Sequence, residues 1–121
     1  MLKEEKTVEE TKREMVKAGE NWIIPFMDFV DEMRRSRDSE LIGTPFMCDN
    51  ERIDSILAST IEFLCHELEM EVPYWVWDVP GCRHPWFVSG VENLKAISIA
   101  ESPAFFRRRK IFVLENFLAR V

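Results

Sequence analysis

The spacing of apolar residues predicts helices along most of the chain, and the clearest of them covers residues 50–70. Apolar side chains recur there every three or four positions and form one stripe: Ile53, Leu57, Ile61, Leu64 and Leu68. The outer face of this helix is polar: Glu51, Asp54, Ser55, Ser59, Glu62, His66 and Glu69. Asp49 or Asn50 stands where an N-cap is expected. The sequence therefore predicts a long amphipathic helix.

The same spacing predicts a second helix after residue 21. Its apolar stripe consists of Trp22, Phe26, Phe29, Val30 and Met33. Pro25 fits only in the first turn, because a backbone N–H has no partner within the helix at that point. We expect a core helix that packs against residues 50–70.

Residues 1–21 contain many charged and few apolar side chains. Thr7 and Glu10 have the spacing of a capping box, and Gly19 is typical of a helix end. These features predict an exposed N-terminal helix or arm, followed by a single helical domain over residues 22–121.

Residues 72–88 contain three prolines and five aromatic residues. Each proline disfavours helix at the residue before it, so a continuous helix is excluded and we expect an ordered loop over the helices. Trp75 and Trp77 lie two positions apart in what we expect to be an extended stretch, so they should point to opposite sides.

The C-terminal part is expected to be helical again. Residues 91–101 carry apolar side chains at mostly helical spacing, and Ser102 and Pro103 have the N-cap and N1 arrangement of a final helix. Too many apolar residues follow to be left in water: Phe105, Phe106, Ile111, Phe112, Leu114, Phe117 and Leu118. The predicted fold class is all-α, a single-domain bundle of four to six helices with an ordered loop rich in proline and aromatic residues.

The composition is that of a folded chain. With 121 residues, 46% hydrophobic and 31% charged, the chain suits one domain and not a disordered segment. No apolar run approaches the roughly 18 residues of a membrane helix, and the first residues lack the apolar core of a signal peptide. We therefore expect a cytoplasmic protein without a membrane partner, in which Cys48, Cys65 and Cys82 are reduced thiols.

The net charge of −6 is unevenly distributed. Residues 21–101 hold six basic and fifteen acidic side chains, whereas residues 102–121 hold five basic and one acidic. An acidic body repels the phosphate backbone, so sequence-independent binding to nucleic acid is disfavoured. A local contact through the basic end is still compatible with this distribution.

Four stretches stand in a specific order within residues 22–121. They are residues 49–58 (DNERIDSILA), 72–75 (VPYW), 85–89 (PWFVS), and 101–109 (ESPAFFRRR) with 111–113 (IFV). Together they resemble a widespread, functionally uncharacterised family of bacterial helical domains. The resemblance implies an accessory regulator or antitoxin-like protein, since such domains often follow a repressor-type helix-turn-helix domain and some neighbours resemble nucleotidyltransferase toxins. Residues 1–21 are too few for a helix-turn-helix domain, so we do not expect direct DNA binding.

The cysteines and histidines do not form a recognisable metal site or catalytic site. Adjacent Cys65 and His66 project about 100° apart on a helix, and Cys82 and His84 do not provide the paired spacing of structural zinc ligands. His66-Glu67 is not followed by a second histidine, because position 70 is methionine. We expect no metal and no cofactor.

A cysteine nucleophile with a histidine base would require Cys48 or Cys82 with His66 or His84. No oxyanion-hole glycines and no activating setting accompany these residues. We therefore expect a protein that is not an enzyme.

Two groups of residues are the candidates for binding a partner: Trp75, Trp77 and Trp86, and Arg107, Arg108 and Arg109. Tryptophan and arginine are enriched at interface hot spots, while the structural alternative is that the tryptophans cap the core and the arginines lie on a solvated face that pairs with the acidic body. The predicted function is a non-catalytic regulatory or antitoxin-like protein that acts through protein contacts, with a toxin-like or nucleotidyltransferase-like partner. A nucleic-acid-binding regulator that uses the basic C-terminal segment is the alternative, and a homodimer is left open.

Overall fold

Six α-helices and one pair of short strands occupy residues 6–119, the part of the chain that the computed structural model describes. The helices are α1 Val8–Ala18, α2 Ile23–Ser36, α3 Glu51–Leu68, α4 Tyr74–Trp77, α5 Lys95–Glu101 and α6 Ala104–Arg107. The strands are β1 Trp86–Phe87 and β2 Ile111–Phe112, and 3₁₀ turns cover Gly19–Asn21, Ser39–Ile42 and Glu92–Leu94. The predicted all-α class is confirmed.

Helix α3 begins and ends as its sequence predicts but lies deeper in the molecule than expected. The Asn50 side chain accepts a hydrogen bond from the Ile53 N–H at 3.3 Å, and Glu69 ends the helix with a left-handed φ of 56°. The prediction of a polar outer face is wrong for four residues that are buried: Asp54, Ser55, Ser59 and Glu62. Other elements cover this side of α3, so it is the central helix of the fold.

Helix α2 follows its predicted pattern. Phe26, Phe29, Val30 and Met33 are fully buried, while Trp22 is half-buried beside them. Pro25 lies in the first turn, as expected for a residue without an N–H. The apolar stripe of α2 therefore supplies a large part of the core.

Helix α1 has the predicted cap, because the Thr7 hydroxyl accepts a hydrogen bond from the Glu10 N–H at 3.2 Å. The expectation of an exposed arm is wrong, because Val8 and Met15 are fully buried in the main core cluster. Lys12 on the same face is also buried, and it pairs with Asp54 of α3 at 2.7 Å. This ion pair lets a helix with few apolar residues pack against the rest of the molecule.

The region between α3 and α5 is not an extended loop. Residues Tyr74–Trp77 form one helical turn, which follows Pro73 in an extended conformation, and Trp86–Phe87 form a short strand. The expected extended backbone at Trp75 and Trp77 is therefore wrong. The two side chains still lie on different sides, because residues two apart on a helix project about 200° from each other.

The expected final helix is only one turn long. Pro103 stands at its N-cap and not at N1, and after α6 Lys110 takes a positive φ of 60°. The chain then forms β2, parallel to β1, with Trp86 paired to Ile111. The Ser102 hydroxyl binds β2: it donates to the Ile111 carbonyl at 3.1 Å and accepts from the Val113 N–H at 3.4 Å.

Candidate partner-docking surface

The structure divides the six candidate residues between the surface and the interior. Trp77 is 54% exposed, and Arg107 and Arg108 are exposed. Trp75 and Trp86 are half-buried, and Arg109 is only 6% exposed. Candidate residues that are close in the sequence therefore differ in how far they are exposed to solvent.

Arg109 belongs to the core, which corrects its assignment as a partner-binding residue. Its guanidinium donates to the backbone carbonyl of Val76 at 2.8 Å and to that of Val79 at 3.1 Å. It also donates to the hydroxyl of Ser59 at 3.3 Å and pairs with the carboxylate of Glu62. Arg109 thus ties α4 and the residues after it to α3.

Glu62 is the carboxylate that both Arg108 and Arg109 contact. It is 1% exposed, and each of its two oxygens accepts a hydrogen bond from one of the arginines. Burial, together with the negative charge of Glu62, raises the pKa of the Cys65 thiol to about 11. A buried carboxylate of this kind is stable only with such partners.

Arg108 connects this buried ion pair to the surface. Its guanidinium lies over the Trp77 ring at 5.7 Å and over the Phe105 ring at 5.8 Å, both within cation–π range. The His66 ring lies 5.5 Å from the Phe105 ring. Elements α3, α4 and α6 therefore bring these four side chains to one place.

Tyr74 extends the same surface along α4. It is 92% exposed and lies three residues before Trp77, a spacing that places both on one face of the helical turn. We call the group Tyr74, Trp77, Phe105, Arg108 and His66 the Trp77 surface. Sequence reasoning named Trp77 and Arg108 but missed the other three, which recognition of a helical turn at Tyr74–Trp77 would have helped to find.

Trp75 packs inward from the same turn. Its indole N–H donates to the Ile42 carbonyl at 2.9 Å, and its ring meets the Phe46 ring edge-on at 5.2 Å. Because its polar atom is used within the protein, Trp75 holds α4 against the segment before α3. It is not part of the Trp77 surface.

Trp86 also has contacts within the fold. Its ring lies 5.8 Å from that of Trp22, and the Arg52 guanidinium lies 5.1 Å from its centre. The next residue, Phe87, stacks on Phe112 across the two strands at 5.1 Å. The structure therefore separates Trp86 from Trp77, although sequence reasoning grouped them.

The thiols do not provide an activated nucleophile. Desolvation raises the pKa of both Cys48 and Cys82, and the hydrogen bond to Ser55 at 3.2 Å does not reverse this for Cys82. A catalytic thiol needs a lowered pKa. Among residues 6–119, no cluster of three or more His, Cys, Asp and Glu side chains could hold a metal ion.

A cleft of about 630 Å³ lies between α1 and the segment before α3. The buried cation in its lining, Lys12, is already bound to the Met47 carbonyl and to the carboxylates of Asp49 and Asp54. The rest of the lining includes Glu9, Arg13, Lys17 and Asn50, and its aromatic residue, Phe46, is buried, so it offers no exposed ring like those of Tyr74 and Trp77. The Trp77 surface is the stronger candidate for binding.

No family model matches this chain, and searches of curated proteins and of solved structures find no significant match either. The resemblance to bacterial helical domains therefore stays a prediction from the sequence. Within the described residues, no helix is long and apolar enough to cross a membrane.

Proposed function

We propose that this chain is a non-catalytic regulatory protein that acts by binding another protein through the Trp77 surface. The observation that carries the proposal is the exposure of Tyr74 and Trp77 beside Arg108, on the same side of α4. Tyrosine, tryptophan and arginine are the side chains that most often dominate binding energy at protein interfaces. Their large apolar area is left in water until a partner covers it.

The contacts that position the exposed side chains also support the proposal. Arg108 is hydrogen-bonded to Glu62, and Trp77 lies on the helical turn α4, which hydrogen bonds from Arg109 and Trp75 hold against the interior. Side chains that are already positioned lose less conformational entropy on binding. A preformed surface of this kind suits a specific partner.

The resemblance described above favours an antitoxin-like role in the bacterial cytoplasm, with a toxin-like or nucleotidyltransferase-like partner. A second copy of the chain is the other protein that this surface could bind. Measurement of the molar mass of the free protein in solution distinguishes the two, because only self-association gives a dimer without an added partner.

The alternative, a nucleic-acid-binding regulator, has less support from the geometry. Of the four consecutive basic residues 107–110, Arg109 is buried and Arg108 is paired with Glu62. Arg107 and Lys110 alone offer few phosphate contacts, and affinity for nucleic acid grows with the number of phosphates neutralised. Salt-dependent binding of a short oligonucleotide, lost in Arg107→Ala, would favour this alternative.

The proposal is tested by affinity capture from the source organism followed by reconstitution with the purified partner. Tyr74→Ala and Trp77→Ala remove the two exposed rings. Ile24→Ala is the matched control, because Ile24 is an exposed apolar residue, 61% accessible, on α2. We expect each ring deletion to weaken binding by about 2 kcal/mol or more and the control to leave it unchanged.

Two results would contradict the proposal. One is a partner that binds Trp77→Ala and the unaltered chain equally well. The other is a turnover of substrate by the purified protein that depends on Cys48 or Cys82, which would show that the protein is an enzyme.

A further inference from the structure

A cluster of two arginines and one carboxylate lies at the Trp77 surface. Arg108 and Arg109 bring two positive charges to Glu62, and Glu62 is their only ion-pair partner among residues 6–119. One net positive charge therefore remains, in a chain whose net charge is −6. Because Arg109 is buried and makes four contacts, Arg108 is the arginine that can meet a further anion.

The geometry around Arg108 leaves part of its guanidinium available. Within the described residues its hydrogen bond to Glu62 uses a single nitrogen, Nη2, out of three. The guanidinium carbon lies 5.7 Å from the centre of the Trp77 ring and 5.8 Å from that of the Phe105 ring. A cleft of about 190 Å³ opens here, lined by Glu62, Trp77, Val79, Gly81, Arg108 and Arg109.

We propose that this cleft binds the carboxylate of a single aspartate or glutamate side chain of the protein partner. The inference rests on the proposed function and specifies the chemistry of the partner. A carboxylate matches the fork of N–H groups on a guanidinium and accepts two parallel hydrogen bonds from it. The methylene groups of an aspartate or glutamate would pack against the ring of Trp77.

A phosphate of nucleic acid fits the same observations less well. A phosphodiester backbone needs a row of cations, and the cleft offers one guanidinium with a buried carboxylate behind it. The exposed rings of Tyr74 and Trp77 provide apolar area beside a single charged contact. Such a combination suits a peptide with one acidic residue among apolar ones.

The test uses a random dodecapeptide display library selected on the immobilised full chain. We expect aspartate and glutamate to be enriched among the bound peptides relative to the starting library. The best peptide is then synthesised with its acidic residue and with the matching amide. The amide peptide should bind about ten-fold more weakly or worse, which corresponds to one charge-assisted hydrogen-bonded contact.

Variants of the protein locate the contact. Arg108→Gln should weaken the acidic peptide by about ten-fold or more, since the guanidinium is lost. Arg107→Gln is the matched control: it removes the same charge from the adjacent exposed position, and binding should change by about two-fold or less. Circular dichroism and a thermal melt verify that both variants fold. Arg108→Lys keeps the charge but loses the fork of N–H groups, so its affinity for the acidic peptide should lie between those of Arg108→Gln and Arg107→Gln.

Three results would overturn the inference: no enrichment of acidic residues, an equal loss for Arg107→Gln and Arg108→Gln, or Arg108-dependent binding of a 20-nucleotide RNA that exceeds that of the peptide. The outcome is separable from the proposed function. If Trp77→Ala abolishes capture of the protein partner but acidic peptides are not enriched, the proposed function holds and the acidic chemistry fails.

Discussion

Glu62 and Arg109 form an ion pair that is shielded from water and completes the hydrogen bonding of several other groups. Arg109 satisfies the carbonyls of Val76 and Val79 and the hydroxyl of Ser59 as well as the carboxylate. Removing one partner of a buried pair leaves an uncompensated charge in a medium of low polarity. The pair is therefore a point at which a single substitution should have a large effect.

We expect Arg109→Ala to lower the free energy of unfolding by about 3–5 kcal/mol, because Glu62 keeps only Arg108, the Val79 carbonyl loses its donor and the Val76 carbonyl keeps only the Val79 N–H. Arg107→Ala, at an exposed position two residues earlier, should change it by about 0.5 kcal/mol or less. Urea titration followed by circular dichroism measures both. Equal stability of the two variants would show that Arg109 is not a core residue.

Gly81 is needed because the backbone of residue 109 approaches it closely. A Cβ at position 81 would lie 2.5 Å from the Arg109 Cα, and this contact is with backbone that cannot rotate away. We expect Gly81→Ala to destabilise the protein by about 1–3 kcal/mol. Gly43→Ala is the control, since its nearest contact would be an ordinary 3.6 Å and its φ of −74° suits alanine. A melting temperature unchanged in Gly81→Ala would contradict the close approach.

The Cys65 thiol makes stability depend on pH in the alkaline range. Burial and Glu62 raise its pKa from the ordinary 9.0 to about 11, so the folded protein holds this proton more tightly than the unfolded chain does. The stability that the protonated thiol provides is therefore fully present below pH 9 and is lost as the pH rises from there towards 11. Urea titrations at several pH values should show a steeper fall for the unaltered protein than for Cys65→Ala. Parallel curves would show that the thiol is not the cause.

The longer helices are predictable from sequence, whereas the shorter elements are not. α2 and α3 contain enough turns for the apolar period to appear, and Asn50 marks where α3 begins. α4 and α6 have four residues each, so their conformation depends on contacts with α3 that no local pattern reveals. The pairing of β1 with β2 joins two residues to two others far away in the sequence.

The burial of α1 could not be read from its composition. Its buried face contains Lys12, and a lysine on a helix ordinarily indicates a solvated face. The partner of Lys12 is Asp54, which appeared to be an outer residue of α3 for the same reason. When two buried charges neutralise each other, the sequence of either helix alone does not indicate that its charged residue is buried.

The helical turn α4 separates two tryptophans that lie two residues apart. We expect Trp75→Ala to destabilise the protein by about 3 kcal/mol, since it loses ring packing on Phe46 and leaves the Ile42 carbonyl without its donor. Trp77→Ala should cost about 1 kcal/mol or less, because most of that ring is in water. Thermal unfolding of the two variants measures the difference. If both collapse the fold equally, Trp77 belongs to the core and is unavailable to a partner.

The molecule as a whole is organised around the polar side of α3. Lys12 from the N-terminal helix pairs with Asp54, and Arg109 from the C-terminal part pairs with Glu62 two turns further on. Helix α1 and the segment after α6 are thereby joined to α3 by ion pairs as well as by apolar contacts. The Trp77 surface lies at the second of these junctions, where Arg108 continues the pair with Glu62 to the outside.

The candidate site was partly predictable. The sequence singled out tryptophan and arginine as candidates, and the structure brings two of them, Trp77 and Arg108, into contact. The sequence did not distinguish Trp77 from Trp75 or Arg108 from Arg109. Which residue of each pair faces the interior depends on how α4 and the backbone after α6 are oriented against α3. Tyr74, Phe105 and His66 join the surface through packing between elements distant in sequence.

The most direct test of the docking surface is hydroxyl-radical footprinting of the chain, free and bound to the captured protein partner. If the partner binds the Trp77 surface, oxidation of Tyr74 and Trp77 should fall several-fold in the complex, since the partner would cover both rings. Met47, which is 78% exposed and outside the Trp77 surface, should be oxidised equally in both states. Unchanged oxidation of Tyr74 and Trp77, with Met47 protected instead, would contradict binding at the Trp77 surface and place the interface beside α1.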